Sequence, residues 1–401
     1  MTGPPLSVAD VVVAEGGRVT FARFMEIALT HSTLGYYSRV DRLLRHGGDF
    51  STAPALSPFF TKTVARLITE LVDSSLSAGG PWGSPTDGLP CIVELGGGEG
   101  DLAQGILRHW ETARPELREQ IGYRIVEVGA GLRRRQMVAV RGLAAIGWDV
   151  RWGSDLFEAC ADSHPVVILG NEFLDAVPVH VVEVRDGGIM EAYVTASGPG
   201  LESVWDEISD AAAAEIELLF GTLEPRRLRD FTEDGILEIS SGLGDLMRQA
   251  AEAMPAGSLV SVDYGEWFQG GPPEGVACRS GPRWELEGRA RHRRSIRGYF
   301  KHQLVRDPLL RPGRQDLTAD VDFAAVDLHG RLEGFETVVF TSLAAFLRAG
   351  GAEHELQALR TGTADTGLDV LEADRQATVL EHLLDDEDLG SAFKVMVQVR
   401  D

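Results

Sequence analysis

Short apolar runs alternate with helical patterns through the middle of the chain. The runs are CIVEL from Cys91, then YRIVEV, WDVRW and HPVVILGNEF, and the segments between them, such as DLAQGILRHW and LRRRQMVAVRGL, have helical apolar spacing. Such alternation is typical of βαβ units and a parallel sheet. SLVSVDYG at 258–265 and AFKVMVQV near the carboxyl end predict further buried strands. We therefore predict an α/β fold with a Rossmann-like, mostly parallel sheet.

Other patterns surround this predicted sheet. Residues 19–75 have the apolar spacing of helices, and the Gly, Pro and Ser-rich segment 77–90 is typical of a linker. Two alternating runs around Asp186-Gly187-Gly188 predict a β-hairpin. These patterns divide the chain into an N-terminal helical cover and linker (1–89), the first part of the core (90–175), an inserted hairpin-plus-helix cap (176–257), and a resumed core (258–401) that carries an insertion at 266–320.

Composition narrows the classes of function. No apolar stretch of the 401 residues approaches the length of a membrane span, and the amino terminus lacks the pattern of a signal or transit peptide. We therefore expect a cytoplasmic protein that does not enter membranes. A net charge of −23 would repel a phosphate backbone, so nucleic acid is not an expected partner. We predict no metal site, and a homodimer remains open.

The segment CIVELGGGEGDLA places three glycines, Gly96, Gly98 and Gly100, directly after a predicted strand. Glycines at such a turn let the backbone approach a ligand closely, although glycine-rich turns also end strands without binding anything. A nicotinamide-binding turn would carry its third glycine where this chain has Asp101, and no Gly-Lys-Ser/Thr follows to form a phosphate loop. The pattern favours a cofactor without phosphate.

S-adenosylmethionine (SAM) fits these requirements. It has no phosphate, and its ribose hydroxyls call for a carboxylate at the end of the next strand. Glu127 in YRIVEV supplies that carboxylate. We predict SAM as the cofactor.

Beyond these motifs, the chain resembles the MidA-type methyltransferases, a family whose eukaryotic members assist mitochondrial complex I assembly by methylating an arginine of a partner subunit. The resemblance covers FARFMEIALTHSTLGYYS, GDFSTAPALSPFF, VELGGGEGDL, IVEV, GNEFLDAVPVH, SVDYG, IRGYFKHQ, PGRQDLTADVDF and AFKVMV. It implies a class I methyltransferase sheet with the glycine turn and Glu127 at the cofactor. It also implies that Asp155 and Leu156 lie near the adenine, and that Asn171 and Glu172 end the strand beneath the methyl group.

Two positions depart from the family. A glutamate is usual after GDF where this chain has Ala55, and the family's DLTAHVDF has a histidine where this chain has Asp320. Both departures lie in segments that the resemblance places on the substrate side. Asp155 also has a simpler interpretation, as the N-cap of a short helix.

Glu172 and Asp175 in NEFLDAVPV are the candidate catalytic pair. Arginine stays protonated at neutral pH, so two carboxylates that orient it and concentrate electron density on one nitrogen would suit this acceptor. Their three-residue spacing puts them on one face if the chain turns helically after the strand. Alternatively, Glu172 caps backbone groups and Asp175 begins the turn into the hairpin.

Three classes of function remain open from the sequence. Arginine N-methylation of a protein or peptide leads; O- or N-methylation of a small molecule or modified peptide is an alternative, and a SAM-binding assembly factor with little turnover is another. A hydroxyl or carboxylate acceptor would need a histidine to take a proton or orient the oxygen. The candidates for that role are His180, His292 and His302.

Overall fold

A computed structural model describes residues 7–43, 57–77, 88–197, 200–268, 290–301, 303–362 and 369–401. Its centre is an eight-stranded sheet in the order β15-β16-β10-β5-β2-β3-β4, with β14 attached to β10. The strands are β2 (Leu89–Leu95), β3 (Gly122–Val126), β4 (Val150–Gly153), β5 (Ser163–Asn171), β10 (Gly257–Glu266), β14 (Val321–Asp322), β15 (Glu336–Ser342) and β16 (Phe393–Arg400).

The central sheet is parallel from β4 to β10, and β16 runs antiparallel between β10 and β15. Helices cover both faces, which explains why the strands are nearly continuous apolar runs. The helices of this layer are α4 (Pro58–Ser77), α5 (Asp101–Ala113), α6 (Ala130–Ala145), α7 (Leu156–Ala159), α10 (Gly242–Ala253), α11 (Phe323–Leu332), α12 (Leu343–Ala349), α13 (Ala352–Thr361), α14 (Val370–Leu384) and α15 (Leu389–Ala392). The predicted α/β fold with a mostly parallel sheet is confirmed.

A second, antiparallel sheet forms the cap. Its order is β1-β7-β6-β9, with β8 paired to β7. The strands are β1 (Arg18–Thr20), β6 (His180–Arg185), β7 (Gly188–Ser197), β8 (Gly200–Glu207) and β9 (Ile236–Ile239). The predicted hairpin is β6 and β7, whereas β8 has no counterpart among the predicted elements.

Each face of the cap sheet has its own apolar cluster. On one face lie α1 (Val8–Ala14), α2 (Phe21–Thr30) and the start of α3 (Tyr36–Leu43). On the other lie α8 (Asp210–Phe220) and α9 (Pro225–Leu228). Because β1 pairs with β7, the N-terminal segment and the cap share one sheet.

The insertion contains a small third sheet, in which β11 (Arg297–Phe300) lies between β12 (Gln303–Val305) and β13 (Asp316–Thr318). Helix α10 falls inside the predicted cap in sequence, but it packs in the core cluster beside the central sheet. The predicted division of the chain at residues 89, 175 and 257 stays a prediction.

The strand order reverses between β2 and β5. From β2 the chain continues through β3 and β4 on one side, and from β5 it continues to β10 on the other. In open parallel sheets, ligands bind in the crevice outside the carboxyl ends of the strands at such a switch point. The candidate site therefore lies where β2 and β5 end.

Candidate active site

The glycine turn follows β2 at this switch point. Gly96, Gly98 and Gly100 have φ angles of +65°, +50° and +93°, in the left-handed region that favours glycine. Gly100 precedes α5, and a Cβ there would come within 3.0 Å of Gln136 Cα. A Cβ on Gly98 would meet no described protein atom within 4 Å. The turn thus has open space beside Gly98 and tight packing beneath Gly100.

Glu127 lies directly after β3 and is buried. Its Oε1 accepts a hydrogen bond of 2.7 Å from Gly129 N–H, and its Oε2 accepts one of 2.9 Å from Gln136 Nε2. Burial raises the pKa of Glu127 against these hydrogen bonds. A carboxylate has about four acceptor positions, so Glu127 retains capacity for ribose hydroxyls.

Gln136, which sequence reasoning missed, connects the turn to its neighbours. It is fully buried on α6, its Nε2 also donates to Gly98 O at 2.9 Å, and its Oε1 accepts from Trp152 Nε1 at 2.9 Å. The available signal was a polar residue on the apolar face formed by Leu132 and Val140.

Asp155 and Leu156 follow β4, the strand next to β3. Asp155 is exposed and caps the short helix α7, since its Oδ1 accepts from Glu158 N–H at 2.8 Å. Leu156 is buried in the core cluster on this side of the sheet. The N-cap interpretation of Asp155 is therefore correct, and its placement near the adenine stays a prediction.

Asn171 and Glu172 lie at the end of β5, beside the glycine turn. The Phe173 ring lies against Gly96 of that turn, since a Cβ on Gly96 would be 3.0 Å from Phe173 Cδ2. Glu172 has a φ of +49°, and its N–H donates to Val262 O at 2.8 Å. Left-handed backbone is unfavourable for a glutamate, and such strain is concentrated at functional sites. Within the described residues, Asn171 Oδ1 is buried without a hydrogen-bond partner.

Asp263 in β10 holds the segment that follows Glu172. Its Oδ2 accepts hydrogen bonds from the N–H groups of Phe173, Leu174 and Asp175 at 3.0, 2.9 and 3.2 Å. Burial raises the pKa of Asp263, as do the Asp175 and Glu172 carboxylates, whereas its backbone donors lower it. Three carboxylates therefore interact at the ends of β5 and β10. The signal for Asp263 was an acid inside an apolar strand.

Asp175 lies in a single 3-10 turn, Leu174–Ala176, and is buried. Its Oδ2 accepts a hydrogen bond from the Tyr264 hydroxyl. Burial raises the pKa of Asp175 to about 6, although the hydrogen bond from Tyr264 and the charge of Arg297 oppose this. The helical turn expected after β5 is therefore only three residues long. Glu172 lies before it, with left-handed backbone, and is not part of the turn.

Arg297 and Asp320 cover this cluster from the insertion. The Arg297 guanidinium lies 4.6 Å from the Tyr264 ring centroid, and its Nη1 donates to Asp320 Oδ1 at 2.7 Å. The Asp320 departure thus forms an ion pair above Tyr264. Ala55, the other departure, lies outside the described residues.

The candidate histidines lie in separate surroundings. His180 Nδ1 is 2.6 Å from Glu191 Oε1 and its Nε2 is 3.1 Å from Ser241 Oγ, all within the cap and the start of α10. The His292 ring stacks on Phe268 with centroids 4.3 Å apart. His302 lies outside the described residues.

Comparison with known proteins identifies the family. Residues 82–341 match a family model of S-adenosyl-L-methionine-dependent methyltransferases. The chain belongs to this family. The resemblance to MidA-type methyltransferases and the prediction of a SAM-dependent enzyme are thereby confirmed.

Relatives of this methyltransferase include protein arginine methyltransferase NDUFAF7 of Danio rerio, 25% identical over 88% of this chain and 77% of the relative. The Homo sapiens protein of that name is 26% identical over 77% of this chain and 64% of the relative. Both are named as mitochondrial. These names contradict the cytoplasmic location predicted for this chain from its amino terminus, and that prediction is wrong.

A crystal structure of a superfamily member from Burkholderia thailandensis, bound to S-adenosyl-homocysteine, is 26% identical, with a TM-score of 0.71 over 98% of this chain and 90% of that chain. It supports SAM as the cofactor. In this methyltransferase that group is fitted by the Glu127 carboxylate, by the space that the described residues leave at Gly98, and by Asn171 Oδ1, which has no partner among those residues. No helix in the described parts of the chain is long and apolar enough to cross a membrane.

Proposed function

We propose that this methyltransferase transfers a methyl group to an arginine side chain of a protein. The observation that carries the proposal is the clustering of Glu172, Asp175 and Asp263 after β5 and in β10, where Asp263 Oδ2 binds the backbone N–H groups of residues 173–175. Burial raises the pKa of Asp175 and of Asp263, so a guanidinium beside them would stabilise their ionised forms. The names of the NDUFAF7 relatives support the same acceptor.

The cofactor side of the site would consist of Gly96, Gly98 and Gly100 with Glu127. In this proposal Glu127 accepts hydrogen bonds from the ribose hydroxyls. The glycine turn leaves room for the methionine part of the cofactor, and Asn171 Oδ1 accepts a hydrogen bond from the cofactor. Asp155 and Leu156 border the adenine. The bound cofactor supplies an electrophilic methyl group on a sulfonium.

Glu172 is the carboxylate that would contact the acceptor. It would orient the guanidinium and concentrate electron density on the acceptor nitrogen. Asp175 is the second carboxylate of the pair, and the Tyr264 hydroxyl fixes its orientation. Asp263 would act as a positioning residue, since it binds the backbone of residues 173–175.

The test uses labelled SAM with a lysate from the source of the protein, followed by acid hydrolysis of the labelled proteins. We expect label in methylated arginine. Label confined to small molecules would refute the arginine acceptor, and no transfer with cofactor still bound would favour an assembly factor.

Glu172→Gln tests the proposed role directly. The variant keeps the shape of the side chain and removes its charge, so kcat should fall about a hundredfold while affinity for S-adenosyl-homocysteine stays unchanged. Glu252→Gln, a substitution at an exposed position of α10, is the matched control. Wild-type turnover in Glu172→Gln would exclude Glu172 as the acceptor carboxylate.

A further inference from the structure

A serine, a histidine and a glutamate form a hydrogen-bonded chain in the cap that the methyl-transfer site does not use. Ser241 Oγ is 3.1 Å from His180 Nε2, and His180 Nδ1 is 2.6 Å from Glu191 Oε1. Glu191 Oε2 accepts a further bond of 2.7 Å from Ser209 N–H. This is the connectivity of a nucleophile, a base and an orienting carboxylate.

The two supporting groups lie on neighbouring strands of the cap sheet. His180 begins β6, the strand between β7 and β9, and Glu191 lies on β7 opposite Val182 of β6. His180 is 5% exposed and Glu191 is fully buried. Burial raises the pKa of Glu191, but the hydrogen bonds from His180 and Ser209 outweigh it and leave the pKa lowered. An ionised Glu191 would hold the histidine tautomer in which Nε2 accepts the serine proton.

Ser241 has an unusual role at the start of a helix. It is the residue before α10, where serine side chains commonly cap the first N–H groups, yet its side chain makes no capping bond. The hydroxyl meets the imidazole instead. Ser241 itself is only partly buried.

The start of α10 also offers groups for a reaction at a carbonyl. The first backbone N–H groups of a helix have no partner within the helix, and here they follow the serine directly. Such donors stabilise the negative oxygen that forms during acyl transfer.

We propose that Ser241 is an activated nucleophile for carboxylic esters, with His180 as the base and Glu191 as the positioning residue. Ser241 Oγ attacks the carbonyl carbon while its proton passes to His180 Nε2. The alcohol leaves with that proton and leaves an acyl group on Ser241. A water molecule then attacks the acyl carbon, gives its proton to His180, and releases the carboxylic acid as the serine regains its proton.

The experiment treats the full chain with a fluorophosphonate probe and locates the modified residue by peptide mass spectrometry. Wild type should be labelled at Ser241. Ser241→Ala should show no label at that position, and His180→Gln should react at least about a hundredfold more slowly than wild type. Glu191→Gln should also slow labelling, because an amide no longer favours the reactive tautomer. Ser203→Ala, at an exposed position of β8, is the control and should label as wild type does.

A second measurement follows the release of 4-nitrophenol from 4-nitrophenyl acetate, with a burst expected in wild type and lost in Ser241→Ala. Affinity for S-adenosyl-homocysteine reports that each variant remains folded. Labelling of wild type no faster than of Ser241→Ala, or at another serine, would overturn the proposal and would leave the methyl-transfer proposal untouched.

Discussion

Glu94 is a buried carboxyl at the next-to-last position of strand β2, just before the glycine turn. Its Oε2 accepts a hydrogen bond of 2.9 Å from the Tyr123 hydroxyl. Burial raises the pKa of Glu94 to about 7, with Glu127 and Asp101 adding to the effect and Tyr123 opposing it. The strand that carries the cofactor turn thus holds a group that titrates near neutral pH.

Stability should therefore fall as pH rises through this pKa. The pKa of Glu94 is higher in the folded chain than its ordinary value of 4.5. The protonated carboxyl therefore contributes its full stabilisation below pH 4.5, and this stabilisation is lost as pH rises through about 7. The loss is on the order of 3 kcal/mol. Urea unfolding at about pH 5 and about pH 8 measures it.

Glu94→Gln stays neutral throughout, so its free energy of unfolding should fall less than that of wild type over this range. Glu252→Gln should follow wild type. An equal pH dependence in Glu94→Gln and wild type would show that Glu94 has an ordinary pKa.

Residues at strand ends were the ones that sequence could predict. Glu127 and Glu172 follow apolar runs directly, and parallel strands bring their carboxyl ends to one edge. Gln136 and Asp263 were missed, because their roles depend on partners from distant elements. Only the folded chain brings Asp263 to residues 173–175.

At the scale of elements, the glycine turn combines two different restraints. Gly100 packs against α6, whereas no atom of the described residues lies within 4 Å of a Cβ on Gly98. Replacing the glycine should therefore affect cofactor binding at Gly98 and stability at Gly100.

Gly98→Arg should fold, at a cost of about 1–2 kcal/mol for its left-handed backbone, and should lose binding of S-adenosyl-homocysteine. Gly100→Ala should lower the melting temperature, because its Cβ would press on the α6 backbone. Calorimetry and thermal unfolding separate the two effects. Gly142→Arg, in open space on α6, is the control for an added arginine; unchanged binding in Gly98→Arg would remove the turn from the cofactor site.

Elements with a strong apolar period could be predicted, and elements without one could not. Strands β2, β3, β5, β10 and β16 each follow from an apolar run. Strand β8 lies at the edge of the cap sheet with none of its residues fully buried, so GLESVWDE has no apolar alternation to reveal it. The short strands β11–β13 were hidden in an insertion rich in glycine, proline and arginine.

Across the whole molecule, the net charge of −23 creates a field that extends beyond the acceptor site. A basic protein substrate would be drawn towards this field before it docks. Salt screens such attraction beyond a Debye length of about 8 Å at physiological ionic strength.

The kcat/KM for a basic arginine peptide should therefore fall severalfold as salt is added, mainly through slower association. A matched peptide whose flanking lysines are replaced by glutamine should show little change. Rates for both peptides across a salt series test this, and equal salt dependence would mean that the field does not guide the acceptor.

The position of β16 has a consequence for synthesis. Residues 393–400 lie between β10 and β15 and pair with both. While a ribosome is still making the preceding helices, the nascent chain has the cofactor half of the sheet complete in sequence but exposes one edge of β10. That edge is closed only when residues 393–400 have left the exit tunnel, so until then β10 carries a row of unpaired backbone groups on that side.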